Sequence, residues 1–248
     1  MKLYGLLGKT LSHSFSKKYF TEKFAALGLS DHVFELFEIP FIEDFPQLLD
    51  SKSPISGMNV TIPYKEAVMP YLNGLDISAQ NVGAVNVIKF MSDGSLVGYN
   101  SDYYGFKQSL LNTLKTYAMP IPSQALILGT GGAAKAVMAA LADIGTSYAI
   151  VSRDKSKGHY DYSELSEELI KSHTLIVNSS PVGTYPNVND APNIPYHFLG
   201  SNHLLFDLVY NPETTAFVQK GAEYGAKSKN GLEMLHLQAE KAWEIWNA

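Results

Sequence analysis

Residues 125–143 restrict the fold more than any other stretch. The apolar run Ala125–Leu128 passes through Gly129-Thr130-Gly131-Gly132-Ala133-Ala134 directly into the helical pattern Ala133–Asp143. This is G-x-G-x-x-A between a strand and a helix, the fingerprint of a dinucleotide-binding unit. Gly129 permits the tight turn, Gly131 lets backbone amides approach a pyrophosphate, and Ala134 lets the helix lie close to its strand. The helix N-terminus favours the anion. A turn that is merely glycine-rich is the bland alternative. The rest of the chain keeps the same alternation. Strand-like runs occur at Lys2–Leu7, His32–Glu38, Gly57–Ile62, Ala84–Phe90, Leu96–Tyr99, Ala125–Leu128, Ser147–Val151, Leu175–Asn178 and Leu204–Val209. Helical stretches such as Lys17–Leu27 and Thr215–Tyr224 lie between them. The expected class is α/β with largely parallel sheets.

A chain of 248 residues suits two modest domains. Met119-Pro-Ile-Pro-Ser123 reads as a linker, because its prolines cannot continue a helix. The expected division falls near residues 102–123. In the last helical stretch, Leu232, Leu235, Ala239, Ala242, Trp243 and Trp246 form one apolar face. Packed back on the first domain, that face would make the domain discontinuous in sequence.

The absence of cysteine excludes disulfides, thiolate metal sites and cysteine nucleophiles. The seven histidines include no pair at metal-ligand spacing on a helix, so no metal is expected. His13, beside a serine-rich loop, reads as structural or supporting rather than as a ligand. A net charge of -5 argues against nucleic acid. No apolar run approaches the ~18 residues of a membrane span, and the opening apolar stretch is too short for a signal peptide. A soluble cytoplasmic protein is expected. Gly8-Lys9-Thr10 resembles the end of a P-loop, but Leu3 stands where that motif needs glycine.

Cofactor choice depends on the end of the strand Ser147–Val151, which runs into Ser152-Arg153-Asp154-Lys155-Ser156-Lys157. Arg153 is the only arginine in the chain. Its planar fork can hold a phosphate through two bonds and stack on adenine, which lysine cannot do. With Lys155 and Lys157 behind it, it favours a ribose 2′-phosphate and hence NADP. Two other readings stand: a solvated surface loop, and NAD if Asp154 turns towards an unphosphorylated ribose.

The first half holds polar residues that packing does not explain. Pro63 would start a helix well, placing Lys65 in its first turn at the positive end of the dipole. Dipole and burial would lower the lysine pKa and suit it to proton exchange; a surface ion pair is the alternative. Asn86 interrupts the run Ala84–Phe90, so a turn or a polar ligand must satisfy its amide. Ser101-Asp102 precedes a helical stretch and could be an N-cap. Ser12, Ser14 and Ser16 line the loop after the first strand, with Ser16 a possible cap for the helix from Lys17. Gln238 lies on the apolar face of the last helix and wants a buried partner. Hydroxyls, amides, one lysine and one aspartate suit a small polyhydroxylated acid.

Together these residues resemble the shikimate dehydrogenase family across essentially the whole chain. The matching segments are Ser12-His-Ser-Phe-Ser16, Asn59-Val-Thr-Ile-Pro-Tyr-Lys65, Gly83-Ala-Val-Asn86 and Gly98-Tyr-Asn-Ser-Asp-Tyr-Tyr-Gly105 in the first half. In the second they are Gly129-Thr-Gly-Gly-Ala133, Asn178-Ser-Ser-Pro-Val-Gly183, Asp207-Leu-Val-Tyr-Asn-Pro212 and Asn230-Gly-Leu-Glu-Met-Leu235 with Gln238. The resemblance implies NADPH-linked reversible reduction of 3-dehydroshikimate to shikimate, in a monomer or homodimer. It implies a substrate domain at residues 1–102 plus 230–248, completed by the C-terminal helix, and a Rossmann-like cofactor domain at 103–229. Lys65 and Asp102 would form the acid–base pair. The aspartate would orient the lysine and also raise its pKa, opposing the dipole. Ser14, Ser16 and Tyr210 would hold the substrate carboxylate, and Thr61, Asn86 and Gln238 its hydroxyls. Gly129, Thr130, Gly131, Gly132, Ala133, Ser152, Arg153, Asp154, Lys157, Leu208 and Gly231 would bind the cofactor. The sequence departs from the family at Ser152-Arg153-Asp154, where Asn-Arg-Thr is common. Ile77 also stands where a carboxylate is frequent, and Thr184 where methionine is. An NAD-linked or quinate-using relative and a non-catalytic metabolite sensor are the competing readings.

Overall fold

In the computed structural model, residues 1–12, 14–52 and 54–248 are described; His13 lies outside them. The chain divides into two compact units, Met1–Ser101 with Ala239–Ala248, and Asp102–Gln238.

In chain order the first unit contains β1 (Lys2–Gly8), α1 (Phe15–Ala26), β2 (His32–Glu38), α2 (Phe45–Ser51), β3 (Ile55–Val60), α3 (Tyr64–Ala67), β4 (Gly74–Leu75), α4 (Ile77–Val82), β5 (Val87–Phe90) and β6 (Leu96–Tyr99). The strands form one sheet in the order β2-β1-β3-β5-β6-β4. β1 is parallel to β2 and β3, but β5 runs antiparallel to both β3 and β6. β4 is parallel to β6, so β5 alone runs against the other strands and the sheet is largely parallel, as expected. The turn between β5 and β6, closed by Met91 N–H to the Ser95 carbonyl at 2.9 Å, is too short for a crossover helix.

Alternation along the strands sorts side chains onto two faces. Leu3, Leu7, Met58 and Val60 pack beneath α2, α3 and α4 with Phe45, Tyr64, Val68 and Ala79. Tyr4, Leu6 and Val87 face the other way, against Phe20 and Phe24 of α1 and Ala239, Ala242, Ile245 and Trp246 of the C-terminal helix. Gly57 makes room for that helix, since a Cβ there would lie 2.5 Å from the Trp246 ring. The apolar face read from the sequence is thus covered by the first sheet.

The second unit continues with α5 (Ser101–Thr116), β7 (Gln124–Leu128), α6 (Gly132–Asp143), β8 (Ser147–Val151), α7 (Glu167–Ser172), β9 (Leu175–Asn178), β10 (Leu204–Asp207), α8 (Ala216–Glu223), β11 (Lys227–Lys229) and α9 (Leu232–Asn247), the C-terminal helix already met. Its sheet is wholly parallel, in the order β11-β10-β9-β7-β8. The chain runs outward from β7 to β8 and then returns to place β9 on the other side of β7. Strand order reverses there, and such a switch point leaves a crevice at the carboxyl ends of β7 and β9. Segment 119–123 carries neither helix nor strand and lies inside this unit, joining α5 to β7. No helix among the described residues is long and apolar enough to cross a membrane.

Candidate active site

β7 ends at Leu128, and Gly129 takes φ +115°, a region that side chains other than glycine's rarely enter. The Gly129 N–H donates to the Val151 carbonyl at 2.9 Å. Gly131 is the N-cap of α6, which has no side-chain cap and no acid in its first turn. Open space stands where Gly131 and Gly132 would carry Cβ atoms. Thr130 is exposed and Ala133 half-buried, while Ala134 is buried against the sheet. The helix N-terminus therefore offers N–H groups in an open, glycine-lined cradle, which fits a pyrophosphate.

At the end of β8, Ser152 is buried and its Oγ accepts the Asp154 N–H at 3.2 Å. Arg153 and Lys157 are exposed. Asp154 turns onto its own loop: its carboxylate accepts the Ser156 N–H at 3.1 Å and Oγ at 2.7 Å, and pairs with Lys157 at 3.4 Å. The Ser156 hydroxyl, with the Ser156 N–H and Lys157, holds the Asp154 pKa below the usual carboxylate value. This loop presents a guanidinium outward while its one carboxylate is engaged, which fits a phosphorylated ribose.

The loops after β9 and β10 complete the crevice. Ser179 Oγ donates to the Leu128 carbonyl at 3.0 Å, tying the β9 loop to the β7 loop. Gly231 packs so closely that a Cβ would lie 2.2 Å from the Leu208 carbonyl oxygen, and its N–H donates to Val209 at 3.1 Å. Tyr210 is exposed. Gln238 is buried and donates to the Leu235 carbonyl at 2.9 Å, and Gly105 of α5 lies against its backbone.

In the first unit, Ser14 rather than Ser16 caps α1: its Oγ accepts the Lys17 N–H at 3.2 Å, and Ser16 falls in the first turn. Ser12, Ser14, Lys17, Lys18, Thr21, Glu22 and Leu36 line a groove of about 360 Å³. Thr61 sits just past β3, with its N–H on the Leu7 carbonyl and its own carbonyl accepting the Tyr64 N–H, each at 2.9 Å. Lys65 is half-buried on α3. The dipole reading of Lys65 is corrected. Pro63 caps the helix instead of starting it, and α3 has only 4 residues, with Lys65 in its last turn as well as its first. One turn sums too few peptide dipoles to set a sign.

Asn86 precedes β5 instead of interrupting it, because residues 84–86 lie outside the strand, with a bend at Asn86. Its buried amide is satisfied by Ser101: Oδ1 accepts the Ser101 N–H at 2.7 Å and Nδ2 donates to Ser101 Oγ at 3.0 Å. Asn100 donates to the Ala84 carbonyl at 2.9 Å, and Val85 N–H donates to the Lys65 carbonyl at 2.7 Å. Asp102 follows Ser101 as the second residue of α5.

Three groups escaped the sequence reading. Asn59 is buried, and its Oδ1 is the side-chain atom left without a hydrogen-bond partner among the described buried ones. A polar residue inside an apolar strand was the available signal. Asp207 and Thr215 are fully buried and bonded to each other. Among the described residues no group of His, Asp and Glu could hold a metal.

The profile of a family described as the shikimate dehydrogenase substrate binding domain matches residues 6–88. A shikimate dehydrogenase (NADP(+)) from Clostridium beijerinckii is 40% identical over 99% of this chain and 92% of its own. The chain belongs to the shikimate dehydrogenase family. A crystal structure of shikimate dehydrogenase 1 from Peptoclostridium difficile, 37% identical, superposes with TM-score 0.81 over 100% of this chain and 92% of that one. Shikimate 5-dehydrogenase from Thermus thermophilus, solved with NADP(H) and shikimate, is 29% identical with TM-score 0.84 over 99% and 93%. The likeness to other shikimate dehydrogenases thus spans both units and both groups of candidate residues.

Proposed function

We propose that this chain reversibly reduces 3-dehydroshikimate to shikimate with NADP(H), Lys65 and Asp102 acting as the acid–base pair. The bracket at Val85 and Asn86 carries the reading. It anchors the Lys65 backbone and the residue before Asp102 on two successive residues of the segment leading into β5. When bound, the nicotinamide cofactor supplies or accepts the hydride. Reduction puts negative charge on the carbonyl oxygen, which the Lys65 ammonium stabilises and protonates while the Asp102 carboxylate orients it.

Ser14, Ser16 and Tyr210 hold the substrate carboxylate. The Ser14 hydroxyl accepts the helix N–H and keeps its own hydrogen for an anion. Thr61, Asn86 and Gln238 hold the ring hydroxyls, and the orphan Oδ1 of Asn59 is an acceptor for another O–H. Asn86 spends one N–H on Ser101, and a primary amide has a second. Gly129, Thr130, Gly131, Gly132 and Ala133 cradle the pyrophosphate. Ser152, Arg153 and Lys157 take the 2′-phosphate, with Asp154 held in the loop, and Leu208 and Gly231 face the nicotinamide. Residues 1–102 plus 230–248 serve the substrate and 103–229 the cofactor.

The test is direct: purified protein with shikimate or quinate and NADP+ or NAD+, followed by absorbance of reduced nicotinamide. Shikimate with NADP+ should give the highest kcat/KM. Binding of shikimate without any cofactor reduction would defeat the proposal and favour a sensor.

A further inference from the structure

Asp207, the last residue of β10, is fully buried, yet its bonded partners are all neutral. One carboxylate oxygen accepts Asn178 Nδ2 at 2.9 Å and the Val209 N–H at 3.1 Å; the other accepts Thr215 Oγ1 at 2.5 Å. Each partner belongs to a different piece of the crevice wall. Asn178 ends β9, and its own Oδ1 accepts the Ser180 N–H at 3.1 Å and Oγ at 2.7 Å, shaping the loop that follows. Thr215 is the N-cap of α8. Val209 accepts the Gly231 N–H, and Leu208 donates to the Asn178 carbonyl at 2.9 Å. A buried carboxylate with no cation is costly, and an apolar side chain would fill the same volume more cheaply. What the carboxylate supplies instead is acceptors in two directions for three donors at once.

We infer that Asp207 is a positioning residue for the nicotinamide half of the cofactor, holding Leu208 and the β9 loop in register through Asn178, Val209 and Thr215. The inference rests on the cofactor reading above. It requires that loss of Asp207 disturb the nicotinamide end while leaving the adenine end, held by the separate loop at Arg153, intact.

The experiment measures the binding of two ligands to the whole chain: NADPH, and adenosine 2′,5′-bisphosphate, which has the adenine and phosphate but no nicotinamide. Asp207→Leu should weaken NADPH about tenfold or more and the bisphosphate less than about twofold, as expected when a binding group is misplaced. Asp207→Asn keeps an oxygen for Asn178 and Val209 and can donate to Thr215 Oγ1, so it should restore NADPH affinity to within about threefold. Thr215→Val removes one of the bonds and gives the same comparison if the leucine variant does not fold. Unchanged NADPH affinity in Asp207→Leu or Thr215→Val, or equal losses for both ligands, would overturn the inference. Wild-type protein that binds neither ligand would instead sink the cofactor reading on which it stands.

Discussion

Asn86 grips Ser101 at both ends of its side-chain amide, accepting the backbone N–H at 2.7 Å and donating to the hydroxyl at 3.0 Å. Both residues are buried, so neither bond is exchanged readily for water. The pair joins Ser101 to Asn86, whose preceding residue, Val85, bonds the Lys65 carbonyl. The amide that the sequence leaves to either a turn or a polar ligand is thus met by Ser101.

Asn86→Ala should destabilise the protein by about 1–3 kcal/mol, because it strands the buried Ser101 N–H. Ser101→Ala should cost less, since that N–H keeps its acceptor. Urea unfolding midpoints check this; equal effects of the two variants would contradict the bracket.

Lys65→Ala and Asp102→Asn should each lower kcat by roughly 10²–10⁴ while circular dichroism stays that of wild type, the range for loss of a general acid or its partner. Wild-type turnover in either variant would remove that residue from the mechanism.

Arg153→Ala should raise the KM for NADP+ about tenfold to a hundredfold and that for NAD+ less than about threefold, since only the former loses charged hydrogen bonds. Asp154→Ala should leave NAD+ use nearly unchanged, because its carboxylate already bonds Ser156 and Lys157. Comparable losses for both cofactors in Arg153→Ala would refute the phosphate role.

Gly231→Ala drives a Cβ into backbone, 2.2 Å from the Leu208 oxygen, where no rotamer relieves the clash. A stability loss of about 1–3 kcal/mol is expected, as for overpacking elsewhere, together with a fall in kcat. A variant as stable and active as wild type would mean that Gly231 and Leu208 are not in contact.

Burial raises the Asp207 pKa above its ordinary value, against the opposing bonds from Thr215, Val209 and Asn178. The folded state then binds this proton more tightly than the unfolded one. The group's contribution to stability is full below the unfolded value of 3.8 and is lost as pH rises through the raised folded value. Relative to Asp207→Asn, wild type should lose stability over that window with a slope no steeper than about 1.4 kcal/mol per pH unit, then run parallel. Unfolding of both proteins across acidic pH tests the sign; a wild type that gains stability relative to Asp207→Asn as pH rises would reverse it.

The sequence alone determined what is local. The glycine turn, the helix opened by Gly132, the arginine at the end of β8 and the apolar stripe on α9 are legible because each depends on neighbours within a turn or a short loop. Family membership was legible too, since motif residues keep their order along the chain. Tertiary structure decided the rest. The strands Gly74–Leu75 and Lys227–Lys229 are too short or too polar to show a period, and exist because a neighbouring strand pairs with them. Pairing also set the one antiparallel strand of the first sheet, β5, and the length of α3 removed the dipole argument for Lys65. Whether a buried amide or carboxylate is satisfied depends on donors far away in sequence: Ser101 for Asn86, Asn178 for Asp207, and for Asn59 Oδ1 none among the described residues. Hydrogen bonds are short-ranged and directional, so only the folded chain says which polar groups meet.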